Sequence, residues 1–350
     1  MENLLLSILE KTPLIYIVLS LLAIIAFIIV VLIYTIAFFK GREISFWPPK
    51  IGQDITNTQE YQLPEILDLP ESSTYDPSID INRLKIQSDN HLEFDKKIFQ
   101  KALQIIDKNN LIGLDIGCAD GYVTYTRFEN FNKFSKIIGI DNNSSLLSKA
   151  KRKYENNKFI FELIDIEKDN VNEILAKIGK VDFVYLGYVL QHLSDPVNVL
   201  LKIKKLLNKN GVIVIRTVDD SLKLFYSNYN NFNNDIFYKL IKTSKFNDDR
   251  EHGRKLFYQL KLAKFKNINF NYEIFDTIHN SRDDIIKKYI ESISWRPLSL
   301  ELLIENKAKK DLIKEEYEWA KKAAKVIENI FKNDEMLYYL EIQIVAIAQY

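Results

Sequence analysis

Hydrophobic and polar positions divide the chain into three stretches of different pattern. From Pro13 to Phe39 no charged residue interrupts "PLIYIVLSLLAIIAFIIVVLIYTIAFF". About 20 apolar residues cross the roughly 30 Å hydrocarbon layer of a bilayer, so this run predicts one slightly long transmembrane helix. The acidic, proline-broken stretch 51–82 follows, with Asp54, Glu60, Glu65, Asp68, Glu71, Asp76 and Asp80 and no Lys or Arg, and reads as a spacer. Beyond it, short β-branched or apolar runs alternate with helical patterns, the signature of a mostly parallel sheet covered on both faces.

Seven strands are predicted: 111–116, 136–141, 158–163, 181–187, 211–217, 267–274 and 337–348. The best-marked helix is "SDPVNVLLKIKKLLNKNG", where Asp195 caps, Pro196 suits the first turn and Gly211 follows the basic end. The expected organisation is a tail over 1–12, the span over 13–39, a juxtamembrane segment and linker over 40–81, and one domain over 82–350. Two insertions, at about 218–262 and 281–332, interrupt that domain. In the first, Phe225, Tyr226, Tyr229, Phe232, Phe237 and Tyr238 either form an aromatic lid or pack the insertion on the sheet.

Charge around the apolar run bears on orientation. Lys11 and the terminal amine precede it, whereas Lys40, Arg42 and Lys50 follow it, an excess that places the C-terminal side in the cytoplasm. The start "MENLLLSILEKT" lacks the basic opening of a cleaved signal peptide, and no small-residue cleavage site follows. A formal net charge of +1 gives no overall pull toward polyanions, and no nucleic-acid partner is expected. Cys118 is the lone cysteine, which excludes an internal disulfide framework, and four scattered histidines carry no metal spacing.

Candidate chemistry centres on "LIGLDIGCADGYVT", an apolar strand running into a loop of small residues behind an acid. A phosphate-cradling Walker loop needs Gly-Lys-Ser/Thr, which is absent. A dinucleotide fingerprint needs Gly-x-Gly-x-x-Gly, whereas the glycines here are Gly117 and Gly121 with Ala119 between them. Asp115 would repel a pyrophosphate and attract an ammonium group. "LDIGCADG" resembles the first motif of the class I, Rossmann-like S-adenosylmethionine (SAM) dependent methyltransferases of the small-molecule type, and later motifs of that family recur in order from Leu111 to about Thr217.

The resemblance implies a Rossmann-like α/β fold with a seven-stranded sheet whose last strand is antiparallel, here preceded by a transmembrane helix. It also implies SAM as cofactor. Asp115, Gly117, Cys118, Ala119, Asp120 and Gly121 would form the loop at the amino-acid end of that cofactor. Asp141 resembles the family's ribose-binding acid, with Asn142 beside the adenine; Asp165 and Ile166 resemble the pair that reads the adenine edge. Gly187 and Gln191 lie in "LGYVLQHLSDP", which is similar to the family loop ending His-His-Leu-x-Asp-Pro except for Gln191 in the first histidine place. His192, Asp219 and Asp220 are the candidate bases, each with a structural role open beside the catalytic one.

The expected activity is methyl transfer to a small or lipid-soluble acceptor on the cytoplasmic side of a membrane. Two alternatives stay open: a non-catalytic adaptor that keeps the fold, and an NAD-dependent oxidoreductase.

Overall fold

The computed structural model describes residues 42–46, 49–54, 81–243, 248–298, 300 and 310–350. The expected membrane span, 13–39, lies outside the described residues, as do 1–12 and most of the acidic linker. Among the described residues no helix is long and apolar enough to cross a membrane. The chain divides into two units, 1–66 and 67–350.

In the first unit, β1 (Arg42–Phe46) and β2 (Pro49–Asp54) form an antiparallel hairpin in which Phe46 faces Pro49 and Ile44 faces Ile51. No regular structure was expected of the proline-rich linker from residue 51 on. Pro49 is compatible with this strand because it opens it, where its missing N–H interrupts no ladder interior.

The second unit begins with α1 (Ile81–Ile105). Five strands then alternate with helices: β3 (Leu111–Ile116), α2 (Tyr122–Phe128), β4 (Phe134–Asp141), α3 (Ser144–Tyr154), β5 (Phe159–Leu163), α4 (Val171–Ile178), β6 (Val181–Gly187), α5 (Pro196–Leu206) and β7 (Leu207–Thr217). The two insertions follow, with β8 (Lys223–Tyr226), α6 (Asp235–Lys242), α7 (Leu256–Leu262), β9 (Lys266–Asp276), α8 (Arg282–Ser292), α9 (Lys310–Asn333) and β10 (Tyr338–Gln349).

The strands pair in the order β5-β4-β3-β6-β7-β10, parallel from β5 to β7, with β10 antiparallel to β7 and β9 antiparallel along the far side of β10. All seven expected strands are present. An eighth, β8, pairs with Tyr338–Glu341, the half of β10 that extends past β7. Its four residues carry too short an alternation to be read locally; the pairing exists because β10 is longer than its main partner.

Central strands are apolar on both faces, as a sheet covered by helices on each side requires. Leu114, Ile116, Val184, Leu186, Ile213 and Ile215 pack to one face, under α4, α5 and α7. Leu111, Phe183, Tyr185, Val212 and Val214 pack to the other, under α1 and α2. Asp195 caps α5 by accepting the Asn198 N–H at 3.0 Å, with Pro196 in the first turn, as its sequence predicts. A third apolar cluster joins β8, α6, α8 and α9. Phe225 and Phe237 stack there at 4.3 Å, so these two aromatics pack the insertion on the sheet.

Because consecutive strands run outward from β3 in one direction and from β6 in the other, the order reverses between β3 and β6. Open α/β sheets bind ligands at such a switch point, outside the carboxyl ends of the strands.

Candidate active site

A cavity of about 1070 Å³ opens at that switch point. One wall is the loop after β3. The Gly117 and Cys118 N–H groups both donate to the Ile140 carbonyl, at 2.8 and 3.1 Å, which ties the loop to the end of β4. Gly117 has φ +76°, and a Cβ there would lie 2.5 Å from the Val189 side chain; Gly121 has φ +79° and would press a Cβ to 2.9 Å from Ala150. Neither position admits a side chain. Ala119, at φ 48°, adopts the left-handed region at a cost of about 1 kcal/mol, so its methyl group is held against backbone preference.

Asp141, the last residue of β4, locks this geometry. Its Oδ2 accepts the Ala119 N–H at 2.9 Å and its Oδ1 the Asn143 N–H at 2.9 Å, just ahead of α3. Burial raises its pKa, against the lowering effect of those N–H donors. In the loop after the neighbouring strand β5, Asp165 accepts the Glu167 and Lys168 N–H groups at 3.1 and 3.2 Å. Burial disfavours its charge, but those two backbone donors outweigh it and lower the pKa. Glu167 in turn accepts from Ser194 N at 2.7 Å and Asp195 N at 3.1 Å, joining the loops after β5 and β6.

Gly117, Cys118, Ala119 and Asp120 line the cavity, as do Asp141, Asn142, Asp165 and Ile166, and on the loop after β6 Gly187, Gln191 and His192. Cys118 is buried, and burial holds its thiol well above the usual range, so it stays protonated and unreactive at neutral pH.

Residues 107–261 match a methyltransferase domain. That segment is just under half of the chain and runs from ahead of β3 into α7. A demethylmenaquinone methyltransferase of Lactococcus lactis is 30% identical over 146 residues, 39% of this chain and 56% of the relative. A ubiquinone biosynthesis O-methyltransferase of Pasteurella multocida is 33% identical over 126 residues, 33% of this chain and 50% of the relative. The chain spans about half the length of the curated relatives it matches. Among solved structures, a Haemonchus contortus phosphoethanolamine N-methyltransferase in complex with S-adenosylhomocysteine is 14% identical and covers 71% of this chain and 52% of its own, with a TM-score of 0.40.

Within the matched segment, four expected site residues do not line the cavity: Asp115, Gly121, Asp219 and Asp220. Asp115 does not line the cavity: it lies with Leu111 and Gly113 on the face of β3 turned toward α2, one residue out of phase with Ile116, and takes a 2.5 Å hydrogen bond from Thr124. It is 2% exposed, and burial pushes its pKa up to about 7. Asp219 is not a base. It holds the Arg254 guanidinium at 2.8 and 2.9 Å and accepts the Ser221 N–H, and Arg254 keeps it ionised despite burial. Asp220 is not a base either, since Lys223, Arg250 and Arg296 surround it at 2.8 to 3.2 Å and hold its pKa well below the carboxylate range. Neither acid lines the cavity.

His192 does line it, but burial, reinforced by Arg250, Arg83 and His252, pushes its pKa down to about 3. So weak a base stays neutral at physiological pH and suits a wall or hydrogen-bonding role better than proton abstraction.

Sequence reasoning missed the opposite wall of the cavity altogether. Arg83 from α1, Tyr188 after β6, Asp248 and Arg250 before α7, and Trp295 after α8 all face it. Arg83, Arg250 and Arg296 each place a guanidinium 4.4 to 5.3 Å from the Trp295 ring centre. Tyr188 sits at φ 60°, a strained position for a bulky residue. These residues come from four segments far apart in the chain, so no motif spacing announces them.

Proposed function

We propose that this chain is a SAM-dependent methyltransferase acting on a small-molecule acceptor. The observation that carries this reading is Asp141. It ends the second parallel strand, latches the glycine loop through Ala119, and shares one cavity with Asp165, two residues past the end of the next strand. Two carboxylates at neighbouring strand ends suit the hydroxyl and amino donors of a nucleoside. A glycine loop that leaves no room for side chains suits close approach of its amino-acid tail.

When bound, the cofactor supplies a methyl group already activated on a positively charged sulfur. The protein's part is to hold donor and acceptor in line and keep water out, and proximity alone is worth an effective molarity of up to about 10⁵ M or more. In this reading Gly117, Cys118, Ala119 and Asp120 cradle the tail and Asp141 takes the ribose. Asn142, Asp165 and Ile166 hold the base, and Gly187 and Gln191 frame the sulfur side.

Titration calorimetry of the full chain with S-adenosylhomocysteine tests it. Micromolar binding is expected, weakened at least about 30-fold in Asp141→Ala, which removes both the ribose partner and the latch on Ala119. Well-folded protein that fails to bind either SAM or its demethylated product would remove the reading.

The proposal extends to location: residues 13–39 anchor the chain as a single-pass span, and Lys40, Arg42 and Lys50 keep the catalytic unit on the cytoplasmic side. Alkaline carbonate extraction of the full chain tests that anchor.

A further inference from the structure

The wall opposite the proposed nucleoside site contains three carboxylates: Asp248, Glu291 and Glu341. Two of them are fully committed. Glu291 accepts from His91 on one oxygen and from Asn90 and Lys288 on the other. Glu341 accepts from Ser292 and Tyr339 on Oε2, each at 2.6 Å, and from Gln343 on Oε1.

Asp248 differs. Its side chain is 2% exposed, its Oδ2 meets Arg250 Nη1 at 3.3 Å, and its Oδ1 has no partner among the described residues. Gln191 is 4% exposed, and its Oε1 likewise has no partner among the described residues. The Asp249 N–H donates to the Gln191 carbonyl at 2.8 Å, which fixes the Asp248 segment against the loop after β6. One cavity thus receives two buried oxygen acceptors from adjoining segments, and a buried acceptor left unmade costs about 1–3 kcal/mol. Both call for a hydrogen-bond donor.

We propose that Asp248 is the acceptor-binding carboxylate of this site, receiving with Gln191 the O–H or N–H of a neutral alcohol, phenol or amine and taking its proton during methyl transfer. This deepens the methyltransferase reading and rests on it. The bond from the acceptor O or N to the methyl carbon forms as the S–CH₃ bond breaks, the bonding pair returns to sulfur as a neutral thioether, and the acceptor's proton passes to Asp248 Oδ1. Arg250 and Arg296, with Asp220 behind them, are the charged groups that face Asp248, and the two guanidiniums favour its ionised form. Burial opposes them and prevails, so activity should fall with acidity at a pH above the ordinary aspartate range.

Saturation-transfer NMR on the full chain in detergent, loaded with S-adenosylhomocysteine, provides a test that needs no turnover. Phenol and benzylamine are the O–H and N–H probes, and anisole, which cannot donate, is the control. At least one donor should bind about tenfold or more tightly than anisole, the effect of one buried hydrogen bond, and which one does separates alcohol-type from amine-type acceptors. In Asp248→Asn, Arg250 keeps the amide oxygen and the amide N–H₂ turns to the cavity, so donor affinity should fall about tenfold while anisole holds or gains. Asp248→Leu, similar in size and unable to bond, should abolish the preference without reversing it, and serves if the Asn variant misfolds.

Equal binding of all three probes, no binding of any, or an unchanged preference in both variants overturns the proposal. A calorimetric titration of the same samples separates causes: lost S-adenosylhomocysteine binding in the parent protein removes the methyltransferase reading, and this proposal with it.

Discussion

Among the described residues, no cation is bonded to the Asp115 carboxylate. Its one side-chain partner is the Thr124 hydroxyl, and burial raises its pKa from 3.8 to about 7. A folded-state pKa above the unfolded value means that this group's contribution is complete below about pH 4 and is lost as pH rises through about 7. Asp115→Asn stays neutral throughout, so its stability relative to the parent should improve by about 2 kcal/mol between pH 5 and pH 8, read from urea midpoints. A gap that stays constant with pH would show that Asp115 is ionised in the fold. The same residue marks the limit of sequence reading at this scale. The positions of Gly117, Gly121 and Asp141 follow from local spacing along two strands and their loops, and the structure brings Gly117 and Asp141 to one cavity. Asp219 and Asp220 follow β7 closely in sequence and Lys223 is near them, but the other cationic partners, Arg250, Arg254 and Arg296, lie 30 or more residues away, and those partners assign both acids a structural role.

Among the elements, α1 does the most that its sequence conceals. Its buried stripe runs Ser88, His91, Asp95, Ile98 and Ala102, polar in one half and apolar in the other, so the polar half reads as a solvated face. In the fold that half is keyed into five elements. Asp95 bonds Arg127 of α2, Arg216 of β7 and Tyr185 of β6, and the two guanidiniums overcome burial to hold its pKa at about 2. His91 bridges Glu273 of β9 and Glu291 of α8, at 2.7 Å on each ring nitrogen. Burial and the nearby Arg216 and Lys288 disfavour its charge, yet Glu291 and Glu273 prevail and raise its pKa above 6.5. A raised histidine stabilises fully below its unfolded pKa and loses that contribution as pH climbs through the folded value. His91→Gln should therefore cost about 3 kcal/mol at pH 6, the scale for removing one partner of a buried ion pair, and less at pH 9. Guanidinium melts of both proteins at the two pH values check it; equal losses at both would mean a neutral His91.

For the whole molecule, the open question is where the catalytic unit works. Among the described residues of the unit 67–350 no helix is long and apolar enough to cross a membrane, and the proposed anchor is the uncharged run 13–39. As a helix that run would be about 40 Å long, against a hydrocarbon layer of about 30 Å, so it spans even when tilted. The full chain should then remain in the pellet after carbonate extraction at high pH. Ile25→Arg with Ile28→Arg, two charges near the midpoint at about 3 kcal/mol each, should release it to the supernatant while leaving S-adenosylhomocysteine binding unchanged. Protease added outside sealed cells should leave the catalytic unit intact if the positive charges after the run are cytoplasmic. Release of the parent chain by carbonate would sink the anchor without touching the cofactor site, because every residue assigned to that site lies beyond residue 110.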